Sequence, residues 1–398
     1  MTDRLYYTNA YLKEFDATVL DVVSDAEGRA AAILDRTAFY PTSGGQPFDT
    51  GALGDSRVVD VVDRDDGVVL HIVEGKVLAG PTHGRIDWDR RFEHMQQHTG
   101  QHVLSAAFER TCRARTSSFH LGTSSATIDL AQEVSPAQIA AAELVANRVV
   151  WEDRPVSVRF VDESEAANLP LRKEPRRSGR LRIVEVDGFD LSACGGTHVS
   201  RTGAIGNISI GSFERFRGGM RVEFRCGIRA LESYRLLRDT VSCAARLLST
   251  GLEDLPAATE RLQAENNEGR RRIKHLQEKL AGHEASVLAE RPENRQASTV
   301  VEALDGWDAN GLKAVASAIV ERAGYAAILA TTSVPVSIVA ARAPDRSIDA
   351  AAIVKALTAK FGGKGGGRSE LAQGGGLTAA GADVVAFART LVQSAGDT

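Results

Sequence analysis

Short β-rich runs fill the first 88 residues. Segments 17–23, 29–34, 58–62 and 68–73 are rich in β-branched and apolar residues, and Asp and Gly clusters separate them. That pattern predicts strands, and several of them in so short a stretch predict a small β-barrel. After Trp88 the period changes. Asp89 is the expected N-cap of a helix running to about Cys112, with Val103, Leu104, Ala107 and Phe108 on its apolar face. A strand is predicted over 126–130. A helix follows over 135–147, with Ser135 as N-cap and Pro136 at its first position. Further strands are predicted over 156–161, 181–186, 203–211 and 220–226. From Leu231 the pattern turns helical again. Val241, Leu248, Leu255, Leu262 and Leu276, with Ala245, Leu252, Ile273, Leu280 and Val287, fit a heptad broken at Gly251 and Pro256. Two helices are expected there, the second over about 256–289, as an antiparallel hairpin or a dimerising coil. The last hundred residues alternate helix (312–323, 348–361, 379–394) with buried strand (326–330, 336–340). The expected architecture is an N-terminal β-barrel domain over 1–88, an α+β core over 89–230, a helical spacer over 231–298 and a C-terminal α/β domain over 299–398.

Composition narrows the class. The chain has 398 residues, 43% hydrophobic and 25% charged, with a formal net charge of −4. These are the proportions of a globular protein with room for two or three domains. The net charge does not announce nucleic-acid binding, so any RNA contact must come from local basic patches. Two are present. Arg172 to Arg182 holds six basic residues and one acidic residue among eleven, including Arg176, Arg177 and Arg180. Arg215, Arg217, Arg221, Arg225 and Arg229 surround the strands near 220. Four cysteines, Cys112, Cys194, Cys226 and Cys243, do not suggest a disulfide framework in a chain this long. No secretory h-region and no run of 18 apolar residues occur, so a cytoplasmic location without a membrane span is expected.

The candidate chemistry centres on histidine. His94, His98 and His102 are spaced four residues apart, which stacks them on one face of a helix. Ninety-two residues after His102 comes Cys194-Gly-Gly-Thr-His198. His98, His102, Cys194 and His198 offer one thiolate and three imidazoles, a donor set suited to Zn²⁺. His94 is an additional ligand, a supporting partner or a surface residue. Four protein ligands ordinarily mark a structural zinc; a catalytic ion needs an exchangeable position, through added water or a released ligand. No HExxH is present, which argues against a zincin-type peptidase and leaves the general base unassigned. Thr99, Gln101 and His120 are near enough in sequence to be candidates at a substrate. Gly44-Gly45-Gln46-Pro47 is either a turn requiring glycine or a wall that lets backbone and amide approach a substrate. The stretch Gly362–Gly376, eight of fifteen residues glycine, is not a P-loop, since Lys364 is followed by Gly365.

These motifs resemble those of a known family. His94 to Leu104, Cys194 to Val199, Phe39 to Pro47 and Gly362 to Arg368 are similar, in family order, to the editing domain of alanyl-tRNA synthetase, its free-standing AlaX relatives and the synthetase's C-terminal domain. The resemblance implies a long AlaX: an editing domain over 89–230 with His98, His102, Cys194 and His198 as ligands to one zinc. It further implies hydrolysis of Ser-tRNA(Ala), with Gly-tRNA(Ala) as a second candidate, in trans and without ATP or aminoacylation. Gly44, Gly45, Gln46, Thr99, Gln101, Ser118 and His120 are then expected at the substrate. Arg176, Arg177, Arg180, Arg217, Arg221, Lys364 and Arg368 are expected on tRNA(Ala), and a homodimer through the helical or C-terminal region is expected. Two other readings stay open. One is a noncatalytic tRNA-binding module with a structural zinc. The other is a DHH-type phosphodiesterase, whose catalytic aspartate motifs this sequence lacks.

Overall fold

The structure, a computed structural model, describes residues 1–25, 27–172 and 179–396. They form two compact units, Met1–Cys243 and Ala244–Thr398.

The first unit opens with β1 (Asp3–Arg4), β2 (Glu14–Ser24), β3 (Ala30–Leu34), β4 (Arg36–Thr37), β5 (Gly51–Leu53), β6 (Ser56–Asp63), β7 (Val69–Glu74) and β8 (Gly80–Ile86). Six of them close in the order β2-β3-β7-β6-β5-β8, the barrel expected from the short β-rich runs. Alternation along β2 turns Phe15, Ala17 and Val19 inward, against Leu34, Phe39, Val58 and Val69. β5 and β8 carry little apolar periodicity; closure needs them because it removes every open edge.

α1 (Trp88–Cys112) follows directly. Its cap is Asp87, not Asp89, because Asp87 holds the extended backbone of an N-cap. The Asp87 carboxylate is occupied by Thr50 and Arg57 rather than by a helix N–H. Asp89 sits inside the first turn, where the helix dipole favours a negative charge. From His94 to Phe108 every residue of α1 is buried. Around it come β9 (Thr116–Leu121), β10 (Ala126–Leu130), α2 (Pro136–Trp151), β11 (Val156–Val161), α3 (Glu163–Ala166), β12 (Leu181–Val186), β13 (Asp190–Ala193), β14 (Ile208–Phe216) and β15 (Gly219–Cys226). Ser135 and Gln138 form a capping box at the start of α2, which runs four residues beyond its expected end. The strand expected over 203–211 begins later, because 202–205 is a turn of 3₁₀ helix. One sheet has the order β14-β15-β10-β9 and a smaller one β11-β12-β13. α1 and α2 share an apolar core with the larger sheet.

Barrel and helix are joined by a buried ion pair. Arg91, fully buried, donates from Nε to both Asp49 oxygens at 3.0 Å and from a terminal nitrogen to the Ala10 carbonyl at 3.0 Å. Breaking such a pair typically costs about 3–5 kcal/mol, so the first turns of α1 are firmly registered on the barrel.

α4 (Gly227–Leu247) starts four residues before its expected beginning and leads out of the first unit. The second unit contains α5 (Leu255–Glu290), α6 (Pro292–Ala297), β16 (Thr299–Leu304), α7 (Ala309–Val320), β17 (Ala326–Thr331), β18 (Val336–Arg342), α8 (Ala350–Phe361), β19 (Lys364–Gly367), β20 (Leu371–Leu377) and α9 (Gly381–Gly396). Its sheet runs β16-β17-β18-β20-β19. The glycine stretch forms β19 and β20, an antiparallel pair at the sheet edge. The end of α5 packs Ala281, Ala285 and Leu288 on this domain, whereas Leu262, Ile273, Leu276 and Leu280 are exposed. Among the described residues no helix is long and apolar enough to cross a membrane.

Candidate metal centre

Between His94 and Phe108 α1 is buried on all sides, yet more than half of the helix's buried residues are polar. A buried polar group must be hydrogen-bonded or it destabilises the fold, and the buried glutamines of α1 each have a dedicated partner. Gln97 exchanges two bonds with the Cys226 backbone, at 2.8 and 2.9 Å. Gln96 donates to the Ala204 carbonyl at 3.0 Å, and Gln101 to Ser105 Oγ at 2.9 Å.

The histidines are satisfied in a more pointed way. His98 Nδ1 meets Gln46 Oε1 at 2.8 Å, His102 Nδ1 meets Asp190 Oδ2 at 2.8 Å, and His198 Nδ1 meets Thr99 Oγ1 at 3.2 Å. The opposite nitrogens of His98 and His198 each stand 3.3 Å from Cys194 Sγ. The ligand atoms of His98, His102, Cys194 and His198 all lie within 4.8 Å of one another. A metal-binding imidazole ordinarily bonds a protein acceptor through its other ring nitrogen, which fixes the tautomer. All three histidines do so here. The donor chemistry and the oriented rings therefore fit a zinc ion.

The turn carrying Cys194 and His198 is built for close approach. A Cβ at Gly196 would fall 2.1 Å from His98 Cε1, so only glycine fits. Arg182 holds this turn from below, donating to the carbonyls of Cys194 at 2.8 Å, Gly196 at 2.9 Å and Tyr7 at 3.0 Å. Arg172 pairs with Asp190, the partner of His102.

Electrostatics of the cluster follow from its composition. Burial pushes the Cys194 thiol up, but three facing histidines outweigh it and hold the pKa well below the ordinary thiol value. Burial pushes His102 down, but Cys194 and Asp190 raise it to about 9. Burial dominates at His198, lowering it to about 3. The cluster as a whole favours a thiolate, the form that binds zinc.

The cluster opens on a cavity of about 690 Å³. His98, His102 and Cys194 line it; His198 lies behind. Tyr7, Tyr40, Phe119 and Phe160 supply aromatic walls, and Arg172, Arg180 and Arg182 its cationic side. Among its described lining residues there is no Asp or Glu. Arg180 is exposed and stacks over Phe160 at 5.0 Å.

The residues expected at the substrate divide into three groups. Gly44, Gly45, Gln101 and Ser118 line the cavity. Gln46 and Thr99, both fully buried, stand behind the ligand histidines and support them instead. His120 points away, into a second cavity on the other side of β9, and His94 lines that cavity too rather than joining the tetrad. Of the residues expected on RNA, Arg221 is tied to Asp129 through two bonds at 2.7 and 2.9 Å, and Arg217 occupies the exposed β14–β15 turn. Lys364 and Arg368 are exposed in the second unit. Arg176 and Arg177 lie outside the described residues. Asp190, Tyr7 and Phe160 are not legible as site residues, since they lie on strands and loops with no motif of their own; Arg172 and Arg182 belong to the basic patch read as an RNA contact, and instead pair with Asp190 and hold the Cys194 turn.

Comparison with known proteins gives two family matches. Residues 296–394 match the DHHA1 domain, and residues 181–222 match the threonyl and alanyl tRNA synthetase second additional domain. The alanine–tRNA ligase of Pyrococcus abyssi is 33% identical over 397 residues, covering 94% of this chain and 42% of that protein. The alanine–tRNA ligase of Methanothrix thermoacetophila is 36% identical over 395 residues, with the same two coverages. The chain thus spans about two fifths of the length of these curated relatives. A crystal structure of the C-Ala domain from Aquifex aeolicus alanyl-tRNA synthetase is similar at 20% identity, covering 24% of this chain and 87% of that one, with a TM-score of 0.22; so slight a likeness carries no argument.

Proposed function

The chain is an AlaX-like, alanyl-tRNA synthetase-related protein, and from that premise we propose that it is a zinc-dependent deacylase of mischarged tRNA(Ala). The substrate proposed is Ser-tRNA(Ala), with Gly-tRNA(Ala) second, hydrolysed in trans in the cytoplasm. One observation carries this reading beyond relatedness: three of the four metal-binding side chains line a cavity that is aromatic and cationic and has no described carboxylate. A purely structural ion gains nothing from such an opening.

The need for such an activity follows from binding energies. A site shaped for alanine rejects serine or glycine by only about 1–3 kcal/mol, too little for accurate translation, so a second site must hydrolyse the wrong ester. Bound zinc, held by His98, His102, Cys194 and His198, would supply Lewis acidity toward an ester carbonyl and lower the pKa of a water. The remaining work falls to the protein. Gln46, Asp190 and Thr99 orient the three imidazoles. Gly44 and Gly45 form a backbone wall without side chains, and Ser118 and Gln101 offer polar groups to the aminoacyl moiety. Arg180, on the exposed rim, meets the polyanionic end of the RNA. Lys364, Arg368 and Arg217 are proposed as further phosphate contacts.

The test is incubation with Ser-tRNA(Ala), Gly-tRNA(Ala) and Ala-tRNA(Ala), with and without chelator. Serine release that is lost on chelation and restored by Zn²⁺ is the expected result. The four-ligand donor set also fits a closed structural site. A protein that binds tRNA and zinc but leaves all three esters intact would establish that alternative, a noncatalytic binding module.

A further inference from the structure

The second cavity, of about 1130 Å³, shares none of the described residues that line the metal cavity. β9 is the partition: Ser117, Ser118 and Phe119 face the metal cavity, while His120 and Leu121 face the other. The partition is stiffened where the Leu121 N–H donates to the Gly45 carbonyl at 3.1 Å.

His94 lines this second cavity and is only 2% exposed. Its Nδ1 is enclosed and has no hydrogen-bond partner among the described residues, unlike the buried glutamines and histidines of the following turns. A ligand cannot reach this enclosed atom, but the opposite nitrogen, Nε2, also lacks a hydrogen bond among the described residues and is not enclosed, so it is the edge that an incoming ligand can meet. Burial, reinforced by Arg90, Arg229 and Arg91, lowers the His94 pKa to about 3, so the imidazole offers one donor and one acceptor rather than a positive charge. The surroundings are planar and mixed. The Arg90 guanidinium lies 5.3 Å from the Phe48 ring centroid and is anchored by a bond to the Phe48 carbonyl at 3.1 Å. Phe92, Leu121 and Ile228 add apolar surface. Arg229 is neutralised by Glu93 and donates to the Gly122 carbonyl at 2.8 Å. With Asp89, Glu93 and Glu232 outnumbering Arg90 and Arg229, the lining is not built for a bare anion.

A flat, uncharged group with hydrogen-bonding edges fits such a site. Unpaired bases are recognised by stacking on aromatic rings or guanidinium planes, with side chains reading their edges. We propose that this cavity seats an unpaired nucleobase of the RNA strand whose terminus enters the metal cavity, with Phe48 and Arg90 stacking on it and His94 bonding its edge. The proposal rests on the reading that the chain acts on tRNA.

The experiment uses the full zinc-loaded chain with ¹⁵N-labelled histidine rings. Cytidine 5′-monophosphate, adenosine 5′-monophosphate and ribose 5-phosphate are titrated separately, and the His94 ring resonances are followed. Both nucleotides are expected to shift them, and ribose 5-phosphate is not. In parallel, His94→Phe is expected to raise KM for Ser-tRNA(Ala) about five-fold with little change in kcat, the loss of one hydrogen bond. Ribose 5-phosphate shifting His94 as strongly as the nucleotides would make this a phosphate site and overturn the proposal. So would nucleotides that shift only the metal-site histidines. If His94→Phe fails to fold, the titration of the unaltered chain decides alone. An unaltered chain that leaves every ester intact while nucleotides shift His94 would sink the deacylase reading and spare the base site. Active deacylase with an unresponsive His94 would do the reverse.

Discussion

Gln46 Oε1 accepts the His98 Nδ1–H at 2.8 Å and the Thr197 N–H at 3.1 Å, while Gln46 Nε2 donates to Thr197 Oγ1 at 2.8 Å. One carboxamide from a barrel loop thus fixes both the metal helix and the Cys194–His198 turn. The glycine-rich loop is tied directly to the His98–Cys194–His198 cluster, through a residue expected at the substrate.

Gln46→Ala would leave the His98 Nδ1–H and the Thr197 N–H buried without partners. Removing the partner of a metal-binding histidine typically costs about 10–100-fold in metal affinity. That loss is expected here, together with about 1–3 kcal/mol of stability. Zinc competition against a chromophoric chelator reads the first quantity and urea unfolding the second. Unchanged zinc affinity would show that the carboxamide does not support the ligand.

This arrangement explains what could be read from the sequence. His98, His102, Cys194 and His198 were legible because helical spacing and a glycine-freed turn are local signals. The barrel is legible in β2, β3, β6 and β7 because each is a short run of β-branched and apolar residues bounded by Asp and Gly clusters. Gln46 was seen as a candidate but in a different role, since contact across 52 residues leaves no local trace. Asp190 carries no signature of its own and Arg182 reads only as one charge of a basic patch; their part in the site appears only once β12 and β13 are folded beside the Cys194 turn. The glycine stretch 362–376 could not be read as strands, because glycine lacks the side chains on which strand patterns depend.

Gly44 and Gly45 should separate two effects. Both have positive φ, +58° and +90°, but only at Gly45 would a Cβ collide, at 2.8 Å from the Phe119 carbonyl and 3.0 Å from its ring. Gly44→Ala should cost about 1 kcal/mol of stability from backbone strain and preserve serine release. Gly45→Ala presses on the β9 partition and should slow serine release at least about ten-fold, beyond a similar backbone strain. The comparison is single-turnover deacylation beside thermal unfolding. Equal effects of the two variants on the rate would reduce the loop to a turn.

His71 gives the barrel a pH dependence. It is fully buried between Thr37 Oγ1, at 2.7 Å, and the Ala32 carbonyl, at 3.1 Å, and burial lowers its pKa to about 4. The unfolded chain, with an ordinary histidine near 6.5, binds the proton first as pH falls. Stability from neutral His71 is therefore present above about pH 6.5 and is lost between there and about pH 4, at roughly 1.4 kcal/mol per pH unit in mid-range. His71→Gln retains an amide for both partners and should remove that slope. Urea midpoints between pH 7 and 4.5, with the variant as reference, check this; identical slopes would mean that His71 is not the titrating group.

A chain cut after Leu247, at the end of α4, should keep zinc and chemistry but lose tRNA affinity. The tetrad, its supporting Gln46, Asp190 and Thr99, both cavities and the Arg91–Asp49 pair all lie in the first compact unit. That unit has its own core of α1, α2 and a four-stranded sheet, so it should fold alone. The second unit carries Arg270, Arg271 and Arg272 on α5 and the exposed Lys364 and Arg368 beside the glycine hairpin. If those contact the same tRNA, the two units bind it with a shared effective concentration, and losing one should weaken affinity by about 10²-fold or more. The rate at saturating enzyme should change little. Single-turnover deacylation and a binding titration at fixed salt separate the two quantities, and the salt slope of binding should fall with the phosphate contacts removed. Unchanged affinity would take the second unit out of tRNA recognition and turn attention to the exposed Leu262, Ile273, Leu276 and Leu280 as a dimer seam. A collapsed saturating rate in a truncated chain that still holds zinc would show that the second unit shapes the active site, and the division between chemistry and grip would be wrong.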